Sequence, residues 1–114
     1  YAHPRPKYTP LNGPSTGTVA RGAVHSAEIQ YAMGNLTLDK RYAWDDNDFK
    51  VSETLQRYFV NFIKTGNPNG AGLPEWPAYA SPSYQRMRID VTSQAEAEPE
   101  RARYQALDAA FVNP

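Results

Sequence analysis

Residues 48–65 carry the pattern that most limits how this chain can fold. Val51, Leu55, Tyr58, Phe59, Phe62 and Ile63 recur at steps of three and four and fall on one side of a helix. Asp48 and Ser52 are suitable caps for its start. Gly66-Asn67-Pro68-Asn69-Gly70 stops it, because glycine and asparagine accept positive φ and proline cannot continue a helix. The periodicity makes Phe59, Phe62 and Ile63 core residues, so a helix this apolar on one face needs a large surface to rest on.

The rest of the chain offers little such surface. Residues 1–24 hold Pro4, Pro6, Pro10, Pro14, Gly13 and Gly17, which forbid a long helix. A short extended piece at residues 1–3, the end of a strand, followed by an exposed loop is expected there. Residues 25–34 favour a short helix stopped by Gly34 and Asn35. Residues 36–47 are polar and irregular, and Tyr42 and Trp44 either line a surface groove or are buried. Residues 71–84 form a proline- and aromatic-rich connector in which Trp76 and Tyr79 read as packing anchors. Residues 85–91 alternate polar with apolar and read as the last strand, at a sheet edge. Residues 98–112 read as a C-terminal helix with Pro99 in its first turn and Tyr104, Leu107, Phe111 and Val112 on one face. Two amphipathic helices and one or two short strands cannot close a core among themselves. The order describes one layer of a larger α/β fold, with its beginning elsewhere.

Charge and composition narrow the partners. Twelve basic residues balance twelve acidic ones, which gives no electrostatic basis for nucleic acid as a partner. No apolar run is long enough to span a membrane. The absence of cysteine removes disulfides, thiolate metal sites and a cysteine nucleophile. No cofactor-binding pattern is present. The compartment stays open, a secreted or periplasmic location being preferred to a cytoplasmic one.

Chemistry concentrates in Gly22-Ala23-Val24-His25-Ser26-Ala27-Glu28-Ile29. Small residues lead into a histidine at the start of a short helix. An imidazole there can reach away from the scaffold, accept a proton from a nucleophile and pass it to a leaving group. A lone histidine is more often structural than catalytic, so the residues alone leave both readings open. His3, in the proline-rich start, is expected to be exposed. A metal site from His3, His25 and Glu28 lacks ligand spacing. Asn35-Leu36-Thr37 is a glycosylation sequon, taken as unused.

The stretch from Gly22 through Leu36 resembles the block around the catalytic histidine of type-B carboxylesterases. That family includes cholinesterases, bile-salt-activated lipases and bacterial para-nitrobenzyl esterases. A second block is similar to the family's penultimate helix and the turn after it. It comprises Tyr58-Phe59-Val60-Asn61-Phe62-Ile63-Lys64-Thr65-Gly66-Asn67-Pro68-Asn69-Gly70 and then Pro74-Glu75-Trp76-Pro77-Ala78-Tyr79. The strand at Met87-Arg88-Ile89 and the last helix follow in the family's order.

The resemblance implies the C-terminal portion of an α/β-hydrolase fold, mostly helical with one or two short strands. It implies a serine esterase acting on a small-molecule ester, with His25 as the general acid/base. The serine and the orienting acid would lie on an upstream N-terminal part of the same enzyme, the partner this chain needs. No G-x-S-x-G occurs here, and Ser15 in Gly13-Pro14-Ser15-Thr16-Gly17 matches it only loosely. Glu28 matches a position that supports the histidine loop from behind, and is otherwise a helix-start carboxylate accepting backbone N–H groups. The chain by itself is expected to be inactive. Two rival readings are an esterase-like adhesion module that has lost its serine, and a free-standing helical domain binding a partner through residues 51–63.

Overall fold

A computed structural model describes residues 1–9 and 20–112. The Ser15 pattern lies outside these residues. The element order is α1 (Glu28–Met33), a 3₁₀ turn (Leu36–Leu38), α2 (Asp46–Thr65), β1 (Gln85–Arg88), β2 (Gln94–Ala97) and α3 (Arg101–Val112).

Helix α2 begins earlier than the caps Asp48 and Ser52 implied. Asp45 is extended and accepts the N–H groups of Asn47 and Asp48, while Asp48 Oδ2 accepts the Asp45 N–H at 2.8 Å. This reciprocal pair satisfies donors at both ends of the first turn, which a single cap inside the helix cannot do. At the other end Gly66 takes φ 74° and its N–H returns to the Phe62 carbonyl at 2.7 Å. The left-handed angle there suits a residue without Cβ.

Only half of the apolar face of α2 is buried. Val51, Leu55 and Tyr58 join Tyr31, Leu36, Met87 and Ile89 in the core. Each such burial contributes roughly 1.5–3 kcal/mol. Phe59, Phe62 and Ile63 are not core residues: Phe62 is 58% and Ile63 80% exposed. The periodicity placed them on the correct side of the helix, but no described element covers the C-terminal half of that side. They line an open groove of about 820 Å³ with Trp76, Pro77 and the Gly66–Asn69 turn.

The sheet is a single antiparallel pair, with Met87 opposite Ala95 and Arg88 opposite Gln94. β1 stops at Arg88 instead of running to residue 91. Asp90 and Ser93 then close the bend through Ser93 Oγ, which donates to the Asp90 carbonyl at 2.9 Å. β2 was not expected, because Gln94-Ala95-Glu96-Ala97 has no β-branched or aromatic residue. Pairing with β1, reinforced by the Arg86–Glu96 ion pair at 2.9 Å, overrides its weak propensity.

The C-terminal helix starts at Arg101, so Pro99 sits in the turn before it and not in its first turn. α3 buries no residue, and Phe111 and Val112 stand in solvent. Its start is held by Arg101, whose guanidinium lies 4.0 Å from the Tyr84 ring centroid. The radius of gyration is 17.3 Å, against about 13 Å for a compact domain of this length. The observed arrangement is a layer with one small core and much uncovered apolar surface.

The N-terminal segment is stitched to the core at both ends. Ala2 N–H donates to the Ile89 carbonyl at 2.8 Å, and Tyr8 forms an antiparallel bridge with Tyr42. His3 is therefore buried, at 8% exposure, and not solvent-exposed as its proline-rich surroundings suggested. Trp76 packs edge-on against Tyr58 at 5.2 Å. Tyr79 is half exposed and meets Tyr84 at 5.5 Å.

Candidate functional site

His25 opens a tight turn that runs into α1. The Ala27 N–H donates to the Val24 carbonyl at 3.1 Å, and Ser26 takes a left-handed φ of 59°. For a residue with a Cβ that conformation costs roughly 1–2 kcal/mol. Ala27 is fully buried beneath the turn, while His25 is exposed. The His25 ring has no hydrogen bond to another described residue.

The turn is held from two sides. From the N-terminal segment, Arg5 Nη2 donates to the Ser26 carbonyl at 3.0 Å. The same guanidinium reaches the Tyr42 hydroxyl through Nη1 at 3.4 Å and lies 5.5 Å from the Tyr42 ring centroid. Tyr42 leans on Trp44, and Trp44 meets Tyr31 edge-on at 5.7 Å. Both are partly buried, and Trp44 Nε1 donates to the Asp39 carbonyl at 2.8 Å, so these aromatics support the turn rather than line a groove.

From below, α1 is fastened to α2 through Tyr31. Its carbonyl accepts Ser52 Oγ at 2.7 Å, and its hydroxyl donates to Asp48 Oδ1 at 2.6 Å. Asp48 Oδ1 also lies 3.0 Å from His3 Nε2, and His3 Nδ1 lies 3.0 Å from Asp90 Oδ1. Both ring nitrogens of His3 thus face carboxylate oxygens.

The electrostatics follow the burial. Burial first, and then the hydrogen bond to Asp48, pushes the Tyr31 phenol well above its usual range. Burial alone would raise the Asp90 carboxyl. The Val91 N–H, the His3 hydrogen bond and the Arg88 guanidinium at 2.8 Å outweigh it and hold the group below its usual range.

The residues singled out from sequence do not converge. Glu28 occupies the first position of α1, but no side chain caps that helix. Ala27 before it already has right-handed helical angles, so the chain enters α1 through the 25–27 turn. The expected contact of Glu28 with backbone N–H groups is not made among the described residues. His3 is sequestered by two aspartates, away from His25, and no cluster of metal-binding side chains forms among the described residues. Arg5, Tyr31, Asp48 and Asp90 gave no periodic signal. Asp48 reads as a helix cap from sequence, and the Asp45-Asp46-Asn47-Asp48 spacing also fits the capping box observed.

The family model described as "Carboxylesterase family" matches residues 1–107. The chain belongs to the carboxylesterase family. Carboxylesterase 5A of Canis lupus familiaris is 38% identical over 73 residues, which are 60% of this chain and 12% of that protein. Acetylcholinesterase of Gallus gallus is 41% identical over 66 residues, 57% of this chain and 8% of its own length. Among solved structures, a thermophilic PNB esterase superposes with a TM-score of 0.68 at 30% identity, over 82% of this chain and 20% of that one. A PNB esterase does so with a TM-score of 0.65 at 28% identity, over 83% of this chain and 19% of that one. This carboxylesterase-family chain is a mostly helical portion, with two strands, of the α/β-hydrolase fold of those esterases. It spans about a fifth of their length.

Proposed function

We propose that this chain supplies the general acid/base histidine of a serine carboxylic-ester hydrolase, and that His25 is that residue. The carrying observation is an exposed imidazole, free of hydrogen bonds to the described residues, on a turn anchored by Arg5 and by the buried Tyr31. Such a ring is available to a group the chain does not itself contain. Family membership over residues 1–107 supports the chemistry.

In this reading a serine hydroxyl on another segment attacks the ester carbonyl as His25 takes its proton. The imidazolium protonates the departing alcohol, leaving an acyl-serine. His25 then takes a proton from water, which attacks the acyl carbonyl, and returns the proton to the serine. An acid outside these residues orients the ring. In this reading Glu28 is not the acid of the triad. The serine-bearing part covers the exposed Phe59, Phe62 and Ile63 surface. A base without a nucleophile or oxyanion donors has little to catalyse, so the chain alone is inactive.

The test is hydrolysis of p-nitrophenyl acetate by the full polypeptide bearing these residues, or by this chain combined with the serine-bearing part. His25→Ala should lower kcat by about a thousandfold or more, with a small change in stability. Near-normal turnover in that variant removes His25 from the mechanism. No turnover and no covalent phosphonate adduct in the unsubstituted protein would instead favour an adhesion module that keeps the fold without the chemistry.

A further inference from the structure

We propose that Arg5 is a positioning residue for His25: through the Ser26 carbonyl, its guanidinium sets the direction in which the imidazole points. This role rests on His25 being the general base.

The argument begins with the left-handed Ser26. That residue follows His25 directly, so its φ and ψ determine where α1 departs from the histidine. Neither glycine nor asparagine, the residues that tolerate such angles best, stands there. A contact from outside the turn helps to hold such a peptide, and among the described residues Arg5 Nη2 donates to the Ser26 carbonyl at 3.0 Å. A charged donor makes this bond stronger than one between neutral groups.

Arg5 is itself placed with unusual definition. Pro4 and Pro6 flank it, which confines the backbone around it to extended forms. His3, two residues earlier, is clamped between Asp48 and Asp90. Tyr8, three residues later, is bridged to Tyr42. The guanidinium then divides its planar fork between the Ser26 carbonyl and the Tyr42 hydroxyl and lies near the Tyr42 ring. An ammonium cannot satisfy these geometries together. The buried network around His3 is thereby connected, through Arg5, to the turn that carries the exposed imidazole.

The test uses the ester-hydrolysing protein with ¹³C-labelled histidine, the His25 resonance being assigned by its loss in His25→Gln. Arg5→Ala should lower kcat roughly ten- to hundredfold while KM stays within about twofold. The His25 resonance should broaden or split, and that of His3 should hold its position. Millimolar guanidinium should restore a part of kcat and sharpen the His25 signal; Arg5→Lys should recover less than Arg5→Ala with guanidinium. A kcat within threefold of normal and an unchanged His25 signal in Arg5→Ala would overturn the proposal. So would simultaneous loss of both imidazole signals with no response to guanidinium, because Arg5 would then serve the fold generally. If His25→Ala is fully active, the reading of His25 has failed instead, and the resonance behaviour alone decides whether Arg5 holds the turn.

Discussion

The Tyr31 hydroxyl donates to Asp48 Oδ1 across 2.6 Å, and this bond fastens the helix that follows the His25 turn to the first turn of α2. Asp48 performs two tasks with its two oxygens. Oδ1 takes Tyr31 and His3, and Oδ2 takes the Asp45 N–H. Asp48, expected from sequence as a helix cap, is 1% exposed.

Asp48→Ala should therefore cost far more than removal of a helix cap. It opens the capping box and leaves the Tyr31 hydroxyl and His3 Nε2 without their acceptor. A loss of roughly 3 kcal/mol is expected, against about 1 kcal/mol for Asp45→Ala. Urea unfolding measures both, and equal losses for the two variants would mean the buried hydrogen bonds contribute nothing.

Tyr31 predicts an alkaline limit. Its folded pKa is raised by burial, so its share of stability is complete below the unfolded value, about 10. That share is lost as pH climbs from there toward the folded value, because the unfolded chain releases the proton first. Tyr31→Phe should lower stability at neutral pH and flatten the decline above pH ~10. Melting temperatures collected across that range test it; an unchanged slope in Tyr31→Phe rules the phenol out.

Asp90 predicts an acid limit of opposite sign. Its folded pKa is depressed, so its contribution is present above the unfolded value, about 4. It is lost as pH falls below that toward the folded value. Asp90→Asn should be less stable at neutral pH and less sensitive to acid as the pH falls below ~4. Parallel acid-unfolding curves for the two proteins would refute this.

Gly34→Ala should destabilise by roughly 1 kcal/mol. Gly34 closes α1 at φ 65°, and a Cβ there would meet the side-chain amide of Gln56. Gly22→Ala is the control, since its Cβ would meet nothing within 4 Å. Equal melting points for the two variants would show that the left-handed closure of α1 is unimportant.

Phe62→Glu separates surface from interface. Phe62 is more than half exposed here, so in this chain alone the change should leave solubility unimpaired or improve it. If a serine-bearing part covers this face, as proposed above, the same change in the full polypeptide would bury an unpaired carboxylate and should cost several kcal/mol. A fully stable and active full-length variant would show that this face stays in water.

Local patterning carried a good deal of this molecule. The three- and four-residue spacing placed α2, glycine and asparagine marked its end, and alternation identified Met87 and Ile89, both buried. The two blocks that resemble the family, at their separation, carried the family, which the match over residues 1–107 shows. These features are legible because helix period, strand period and turn chemistry are properties of neighbours in the chain. Tertiary structure alone decided the rest. His3 is joined to residues 45 and 87 positions away, and Arg5 to one 21 positions away, distances over which no periodicity carries information. The same limit explains Phe62 and Ile63: a repeat states which residues share a face, but burial depends on whether another surface arrives to exclude water from it.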